Sequence, residues 1–343
     1  MKIVHIESGL GNQMLSYSEY LVLKKLNPED EFYIETMIYD IPACNDIICQ
    51  WNGYELNRVF GIDVPNIKDY FSQQEWNEII AEVENSKFWI KNWNYPPKIV
   101  KVFNNHGLNL INCRGDFGDK TTKKSKITKL LDTRFGYFVK RVMRPIYQKK
   151  YIEKMSATEN IFLTSKKNIF TGQFLGLRNT GGGIEFVDKE IREAFQFPLL
   201  TDNKNLKALE LIEKSNSIAI HARRGDMLQS NGYCYKYGYF KRAVSYIRAR
   251  VKDPIFIFFC DTGSIEWCKQ NEKIFGLDFR KDKIYFVYWN KGKESFRDMQ
   301  LMSRCKHNII TNSTFGWWGA YFNDNPDKIT ISPNVWIATT VTL

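Results

Sequence analysis

The chain lacks any long hydrophobic run, although it contains 343 residues. No apolar stretch approaches the roughly 20 residues that a helix needs to cross a bilayer. The first seven residues, MKIVHIE, are interrupted by charge and resemble a first strand more than a signal peptide. We therefore expect neither a membrane span nor an export signal.

The chain has few of the cysteine and histidine patterns that bind metal. The seven cysteines are odd in number and form no Cys-x-x-Cys pair, and the chain has only four histidines. This is poor material for a zinc site. We expect reduced, buried cysteines in a cytoplasmic protein with no bound metal.

Charge is unevenly distributed along the chain. The net charge is +11, and residues 120–154 carry twelve Lys or Arg against two acids, or +10. The high isoelectric point is thus a local feature and weak evidence for general nucleic-acid binding. Apolar residues recur at helical spacing within this basic segment. That pattern fits either a helix lying on an anionic membrane or an ordinary amphipathic helix packed on its own domain.

The length predicts two domains, and the second half alternates between strand and helix patterns. Such alternation is typical of a parallel sheet covered by helices, with ligands beyond the carboxyl ends of the strands. Predicted strands are 3–6, 32–34, 217–222, 255–260, 283–288, 308–311 and 328–332, and predicted helices are 12–26, 239–251, 264–275, 295–305 and 314–323.

A glycine turn follows the first predicted strand. Its sequence, Gly9-Leu10-Gly11-Asn12-Gln13, resembles part of a dinucleotide fingerprint, and Glu35 ends the next strand. Because Met14 stands where the third glycine belongs, the match is incomplete. Asn12 and Gln13 instead offer amide donors at a helix start, suited to a sugar or a phosphate.

The strongest anion-binding pattern is His221-Ala222-Arg223-Arg224-Gly225-Asp226. A buried strand delivers two guanidinium groups to its carboxyl end, where each can bind phosphate oxygens in a bidentate manner. A surface salt bridge between Arg224 and Asp226 is the alternative interpretation.

Two further patterns lie at strand ends in the same half. Residues 311–319 (TNSTFGWWG) place hydroxyl groups at a helix start, where they serve as a cap or hold a phosphate. Asp298 opens the preceding helix and either complements its dipole or binds the N1–H and amino group of a guanine. No Asp-x-Asp occurs, which argues against the metal-dependent nucleotide-sugar transferases.

Taken together, these motifs resemble those of the family 11 glycosyltransferases, which include α-1,2-fucosyltransferases of bacteria and animals. The resemblance runs in family order from residue 9 to about 322. Its three parts are Gly9–Met14, His221–Asp226, and Leu301–His307 followed by Asn312–Trp318. Departures include Glu7-Ser8 before Gly9, Met227 after Asp226, and Asp261 as the single carboxylate of Cys260-Asp261-Thr262.

The resemblance implies an α/β, GT-B-like fold with two Rossmann-type domains whose parallel sheets face a central cleft. It implies an inverting, metal-independent transfer of L-fucose from GDP-β-L-fucose, with O2 of a terminal galactose on a glycan as the acceptor. The implied domains are an acceptor-side domain, 1–180, and a GDP-fucose-binding domain, 181–343. The implied catalytic residues are Arg224, Asp226 and Asn12, and the implied donor-binding residues are Gly11, Asn12, Gln13, His221, Arg223, Arg224, Asp298, Ser313, Thr314 and Phe315.

Within this assignment, His221 and Asp298 would contact guanine, and Arg223 and Arg224 the diphosphate. Asp226 and Glu7 are alternative general bases. The acceptor could be lipid-linked, with the basic segment docking the enzyme on the cytoplasmic face of the inner membrane. A nicotinamide-dependent oxidoreductase and a nucleic-acid-binding protein are the competing hypotheses. Both leave the arginine and hydroxyl clusters without a role.

Overall fold

The chain forms two compact units, Met1–Gln196 and Phe197–Leu343. The computed structural model describes residues 1–44, 52–90, 95–113, 166–172, 184–225, 228–261 and 263–333, together with scattered residues between 133 and 149. Asp226 and most of the basic segment 120–154 lie outside the described residues.

The first unit is built on a four-stranded parallel sheet with strand order β2-β1-β4-β3. Strand β1 is buried along its whole length, as expected for a central strand covered on both faces. The helices Gln73–Asn85 and Tyr95–Asn105 pack their apolar faces into the main core of this unit. The strands are β1 (Lys2–His5), β2 (Phe32–Glu35), β3 (Ile111–Asn112) and β4 (Ile169–Thr171).

The second unit is built on a five-stranded parallel sheet with strand order β7-β6-β5-β8-β9. The two central strands read as continuous apolar runs because helices cover both faces of the sheet. Their carboxyl ends lie side by side, and both are followed by polar residues. The strands are β5 (Asn216–Ala222), β6 (Pro254–Cys260), β7 (Lys283–Val287), β8 (His307–Ile309) and β9 (Thr330–Ile331).

The predicted elements are confirmed, but one predicted helix is divided, and strands β3 and β4 and the helices between Leu56 and Lys214 were not predicted. The predicted helix 264–275 is two helices, because the chain leaves helical geometry at Asn271. The helix 228–236 was not predicted, since its sequence includes Gly232 and lacks a helical apolar pattern. The α-helices are α1 (Leu10–Leu26), α2 (Leu56–Phe60), α3 (Gln73–Asn85), α4 (Tyr95–Asn105), α5 (Asp188–Ala194), α6 (Asn203–Lys214), α7 (Leu228–Lys236), α8 (Tyr239–Arg248), α9 (Ile265–Gln270), α10 (Glu272–Phe275), α11 (Phe296–Arg304) and α12 (Thr314–Tyr321).

The division between the units falls later than the predicted division after residue 180. Helix α5 belongs to the first unit because it packs on α1. Lys25 Nζ lies 2.6 Å from Glu190 Oε1, and the rings of Tyr17 and Phe195 are 5.8 Å apart. Residues 196–202 (QFPLLTD) then lead from Phe195 to the helix that precedes the second sheet.

The predicted α/β class with two parallel sheets is confirmed. Each sheet has its own buried core, which is the property of a Rossmann-type domain. A cleft between the two sheets stays a prediction. None of the helices in the described ranges is both long enough and apolar enough to cross a membrane.

Candidate active site

The loop after β5 is fixed by groups from two neighbouring strands. The Arg224 amide donates a hydrogen bond to Asp261 Oδ1 at 2.7 Å, and Asp261 follows β6 directly. The Arg223 amide donates to Thr311 Oγ1 at 3.4 Å, while Tyr235 donates to the Arg223 carbonyl at 3.0 Å. Both arginine backbones are therefore held in place at the carboxyl edge of the sheet.

The Arg224 guanidinium is oriented by aromatic rings. Its Cζ lies 3.2 Å from the ring centroid of Trp267 and 5.4 Å from that of Tyr235. Stacking on the ring faces leaves the planar edge of the guanidinium as the part that can bind an anion. Its Nε is buried without a hydrogen-bond acceptor among the described residues. A phosphate oxygen is the kind of group that would satisfy this donor.

His221 is a neutral, enclosed side chain at the end of β5. Burial, with the positive charge of Arg223 as a second cause, lowers its pKa to about 3, while Asp261 opposes this shift. Its ring lies 5.9 Å from that of Phe315, and a Cβ placed on Gly316 would lie only 3.0 Å from its Cγ. Nδ1 is buried and has no hydrogen-bond partner in the described part of the chain. The imidazole can therefore hydrogen-bond an uncharged ligand group.

Helix α12 begins beside this histidine. Its N-cap is Ser313, whose hydroxyl makes no capping hydrogen bond, so the first turn keeps backbone donors free of a side-chain cap. The helix end is a favourable place for phosphate because its peptide dipoles point toward the ligand. Trp318 is fully buried and anchors the helix in the second unit.

Asp298 occupies a third edge of the site, in the first turn of α11. Burial raises its pKa to about 7, although Asn290 Nδ2 donates to its Oδ1 at 2.8 Å and opposes the shift. Asn290 is held in turn by a reciprocal amide pair with Asn205, at 2.8 and 2.9 Å. This support gives Asp298 a fixed orientation, while burial gives it a high proton affinity.

The thiol of Cys260, the last residue of β6, is within electrostatic range of both Asp261 and Asp298. Contact with Cys268 and burial raise its pKa most, and the charges of Asp261 and Asp298 raise it further. Both carboxylates are therefore near the end of β6, on the same side as the arginine loop.

The glycine turn of the first unit is held by a dense set of hydrogen bonds. Ser8 has a left-handed backbone, with φ of 71°, which is unusual for a residue with a Cβ. Its carbonyl accepts hydrogen bonds from Tyr39 at 2.7 Å and Gln13 at 2.9 Å. Its hydroxyl accepts one from Asn12 Nδ2 at 2.9 Å, so the Asn12 amide lies at the surface of this turn.

Gln13 does not occupy the position predicted for a donor-binding side chain. It is fully buried, and its Nε2 donates to the carbonyls of Ser8 and Gly53, both at 2.9 Å. Its Oε1 accepts a hydrogen bond from the Glu55 amide at 2.8 Å. With both amide protons committed to the backbone, Gln13 stabilises the turn and has no donor left for a ligand.

Buried ionisable side chains cluster at the end of β1, just before the same turn. His5 bridges two carboxylates, with Nε2 3.1 Å from Glu7 and Nδ1 2.5 Å from Glu35. Tyr95 also donates to Glu35, at 2.9 Å. Desolvation lowers the pKa of His5, but the charges and hydrogen bonds of the two glutamates outweigh it, so the pKa is raised. Glu7 is therefore positioned by the His5 imidazole.

The predicted residues thus form two groups. His221, Arg223, Arg224, Ser313, Thr314, Phe315 and Asp298 all lie in the second unit, near the carboxyl ends of its strands. Gly11 and Asn12 lie in the first unit, at the start of α1. Within the described ranges, no three or more His, Cys, Asp and Glu side chains cluster in a way that could hold a metal ion.

Sequence reasoning missed the residues that position the arginine loop. Trp267 and Tyr235 stand outside the recognised motifs, and Thr311 was named only as the start of the pattern 311–319. Only the fold brings these residues to Arg223 and Arg224. Asp261 was noted as a strand-end carboxylate but not assigned to the site. Its position directly after a buried strand was the signal that could have identified it.

Residues 185–342 match the model of glycosyl transferase family 11. One similar curated protein is an alpha-1,2-colitosyltransferase of Escherichia coli, 37% identical over 158 residues, which are 43% of this chain and 50% of that protein. Another is the O-antigen biosynthesis glycosyltransferase WbnK of Escherichia coli, 36% identical over 135 residues, or 37% and 41% of the two chains. The chain spans about half the length or less of these relatives.

A more distant similarity is to galactoside alpha-(1,2)-fucosyltransferase 1 of Plecturocebus brunneus, with 31% identity over 109 residues, 30% of this chain and 28% of that protein. Among solved structures, fucosyltransferase NodZ from Bradyrhizobium aligns with 93% of this chain and 91% of its own, at 14% identity and a TM-score of 0.44.

Proposed function

We propose, from the match of residues 185–342 to the model of glycosyl transferase family 11, that the protein transfers L-fucose from GDP-β-L-fucose to O2 of a terminal galactose on a glycan. The observation that carries this proposal is the arrangement of Arg223, Arg224 and the start of α12 at one sheet edge. Two guanidinium groups and a helix start without a side-chain cap are groups that bind a diphosphate well. An oxidoreductase that binds its nicotinamide dinucleotide at Gly9–Gly11, or a nucleic-acid-binding protein that uses residues 120–154, would leave this arrangement without a role.

The proposed reaction is a single displacement with inversion. The acceptor hydroxyl attacks the anomeric carbon of fucose, the bond from that carbon to the β-phosphate oxygen breaks, and GDP leaves with the bonding electrons. Negative charge grows on the β-phosphate as the sugar gains oxocarbenium character. Arg223, Arg224 and the Ser313–Phe315 backbone would stabilise that charge, because they are already oriented before the reaction begins.

We assign the guanine of the donor to the edge of the site formed by Asp298 and His221. An ionised Asp298 would accept hydrogen bonds from the guanine N1–H and amino group. The neutral His221 would contact guanine through its unpartnered Nδ1. Guanine is preferred to adenine because only guanine offers two adjacent donors to one carboxylate.

The acceptor side is assigned to the first unit. Asn12 and Gly11, at the start of α1, would lie near the reacting sugar. The proton of the attacking hydroxyl would pass to Asp226 or to Glu7. Glu7 has the support of an ordered partner, since His5 holds it at 3.1 Å.

The cellular setting forms part of the proposal. We place the enzyme in the cytoplasm, at the inner membrane, acting on a galactose-containing oligosaccharide that is lipid-linked. The six cysteines in the described ranges are free thiols, which is typical of a reducing compartment. No divalent metal is required, because the two arginines supply the charge that a metal supplies elsewhere.

A donor-by-acceptor screen tests the assignment. Purified protein would be incubated with EDTA, a panel of galactosides and each of several sugar nucleotides, and products identified by mass and linkage. We expect transfer from GDP-fucose with an α-1,2 linkage and no loss of rate in EDTA. The 37% identity to a colitosyltransferase makes GDP-colitose the second donor to include. Transfer only from a nucleotide other than a GDP-sugar would refute the proposal.

Removing the Arg224 guanidinium tests the leaving-group mechanism. We expect Arg224→Ala to lower kcat by roughly 100-fold or more, since one oriented donor at a developing charge is worth about that much. Arg250→Ala is a matched control, because Arg250 stacks on Tyr246 at 3.5 Å and is exposed. Near-normal turnover of Arg224→Ala would contradict the mechanism.

A further inference from the structure

Asn205, in the first turn of α6, is a buried amide whose hydrogen-bonding positions are all occupied. Its Oδ1 accepts hydrogen bonds from Trp289 Nε1 at 2.8 Å and from Asn290 Nδ2 at 2.9 Å. Its Nδ2 donates to Asp202 Oδ2 and to Asn290 Oδ1, both at 2.8 Å. An indole N–H can only donate and a carboxylate can only accept, so Trp289 and Asp202 fix the orientation of this amide.

The orientation of Asn290 follows from that of Asn205. The two side chains form a reciprocal amide pair, and a reversed Asn290 would bring oxygen against oxygen and nitrogen against nitrogen. The amide nitrogen of Asn290 therefore faces Asp298 and donates its second hydrogen to Oδ1 at 2.8 Å. A donor in this position favours the ionised carboxylate over the protonated carboxyl.

We propose that Asn205 and Asn290 are positioning residues for guanine recognition, which present a fixed N–H to Asp298 and hold it as an acceptor for the two donors of the base. The inference rests on the proposed function, in which Asp298 binds guanine. Burial alone favours the protonated carboxyl, whose hydrogen would meet the guanine N1–H. The amide pair opposes that tendency. Guanine recognition would then depend on Asn205, which is separated from Asp298 by Asn290.

Among the described residues, the other titratable groups at this edge keep their charge state between about pH 6 and 8.5. The Cys260 thiol stays protonated, because its hydrogen bond to the neighbouring thiol and burial raise its pKa well above the ordinary value. Burial lowers the pKa of His221 to about 3, so the imidazole is uncharged. Burial would raise the pKa of Asp202, but hydrogen bonds from the start of α6 outweigh it and lower that pKa. Arg297 is cationic throughout. The pH dependence of this edge therefore belongs to Asp298.

Calorimetry of the full chain with GDP at different pH values tests the proposal. Burial raises the pKa of Asp298 to about 7, and the Asn290 amide opposes this shift. Relative to the unaltered protein at the same pH, Asn290→Ala should bind GDP about tenfold more weakly at about pH 6. A hydrogen bond to an ionised group is worth about that factor in the ionisation equilibrium. The loss should be less than about twofold at about pH 8.5, where the carboxyl ionises without the donor.

Asn205→Ala extends the test to the more distant amide. This variant frees Asn290 to turn its oxygen toward Asp298, so it should produce the same pH-dependent loss of GDP affinity, by about threefold at about pH 6. Melting temperatures would show that both variants are folded. Because every comparison is made at one pH, the titration of GDP itself does not affect the result.

The matched control is Asn323→Ala, which removes another buried amide of the second unit. Asn323 Nδ2 donates to Asn308 Oδ1 at 2.7 Å, so its loss should lower the melting temperature without changing the pH profile of GDP binding. A loss of affinity in Asn290→Ala that is equal at both pH values would show a merely structural role and overturn the proposal, as would an unchanged profile. Failure of the proposed function has a different signature, since the unaltered protein would then bind no GDP at either pH.

Discussion

At the scale of single residues, the site depends on a glycine, which has no side chain. Gly316 lies against His221 so closely that a Cβ at this position would approach Cγ within 3.0 Å and Nδ1 more closely still. The histidine cannot retreat, because it is enclosed at the end of β5. The glycine is therefore required by the distance between a strand and a helix, although its sequence neighbours give no sign of it.

We expect Gly316→Ala to destabilise the fold by about 1–3 kcal/mol, as overpacking does, and to weaken GDP binding. Gly232→Ala is the matched control, since a Cβ there would meet no atom within 4 Å and alanine favours the helix. Urea denaturation and calorimetry with GDP would measure both effects. Equal stability and GDP affinity of the two variants would contradict the close-contact explanation.

Asp298 makes the protein sensitive to pH. Its pKa of about 7 in the folded state exceeds the value of 3.8 for the free side chain. The folded protein therefore binds this proton more tightly than the unfolded chain, and the free energy of unfolding should fall as pH rises from about 4 to about 7. Asp298→Asn should remove that slope in urea denaturation curves. His221, with a pKa of about 3, is uncharged across this range.

Protonation of the Asp298 carboxylate should compete with its binding to guanine. If Asp298 accepts the guanine N1–H, GDP should bind about tenfold more weakly at pH 6 than at pH 8, because the protonated carboxyl must first ionise. The dissociation constant measured by calorimetry across this range would test the assignment, with Asp298→Asn as the pH-insensitive comparison. A GDP affinity that rises toward pH 6 would show that another group recognises the base.

At the scale of elements, the site is the place where the ends of strands are tied together. Asp261, after β6, accepts hydrogen bonds from the Arg224 amide and from the Ser264 hydroxyl, both at 2.7 Å. A Cβ on Gly225 would lie 2.8 Å from the same carboxylate. One side chain thus fixes the loop after β5, the loop after β6 and the distance between them.

We expect Asp261→Ala to weaken GDP binding and to lower kcat by roughly tenfold or more, because the arginine loop loses its anchor. Asp261→Asn should retain part of the activity, since the amide oxygen can still accept from Arg224. Asp282→Ala is the control. That carboxylate also accepts several hydrogen bonds, from Arg248 and the Asp278 amide, but on another part of the unit. A GDP affinity equal to that of the unaltered protein in Asp261→Ala would disprove the anchoring role.

At the scale of the whole molecule, the two units have separate hydrophobic cores. One core lies around the sheet of Met1–Gln196, and two lie on the faces of the sheet of Phe197–Leu343. The residues assigned to GDP are all in the second unit, apart from the turn at Gly11 and Asn12. The units therefore divide the proposed reaction between them.

We expect an isolated fragment of residues 197–343 to bind GDP but to transfer no sugar, since the acceptor-side groups are absent. Calorimetry with GDP and a transfer assay would measure the two properties, and circular dichroism would show whether the fragment is folded. Transfer by the fragment alone would contradict the assignment of Asn12 and Glu7 to the reaction.

The amino-acid sequence by itself determined the strands of the second unit, the polar residues at their ends and the family motifs. Buried parallel strands are recognisable because both faces need apolar side chains, and the residues after them lie at one edge by topology. The tertiary structure decided which neighbours hold those residues. The stacking of Arg224 on Trp267 and the hydrogen bonds that occupy the Gln13 amide both depend on contacts set by packing. Periodicity predicts which residues share a helix face, but only packing determines whether that face is covered.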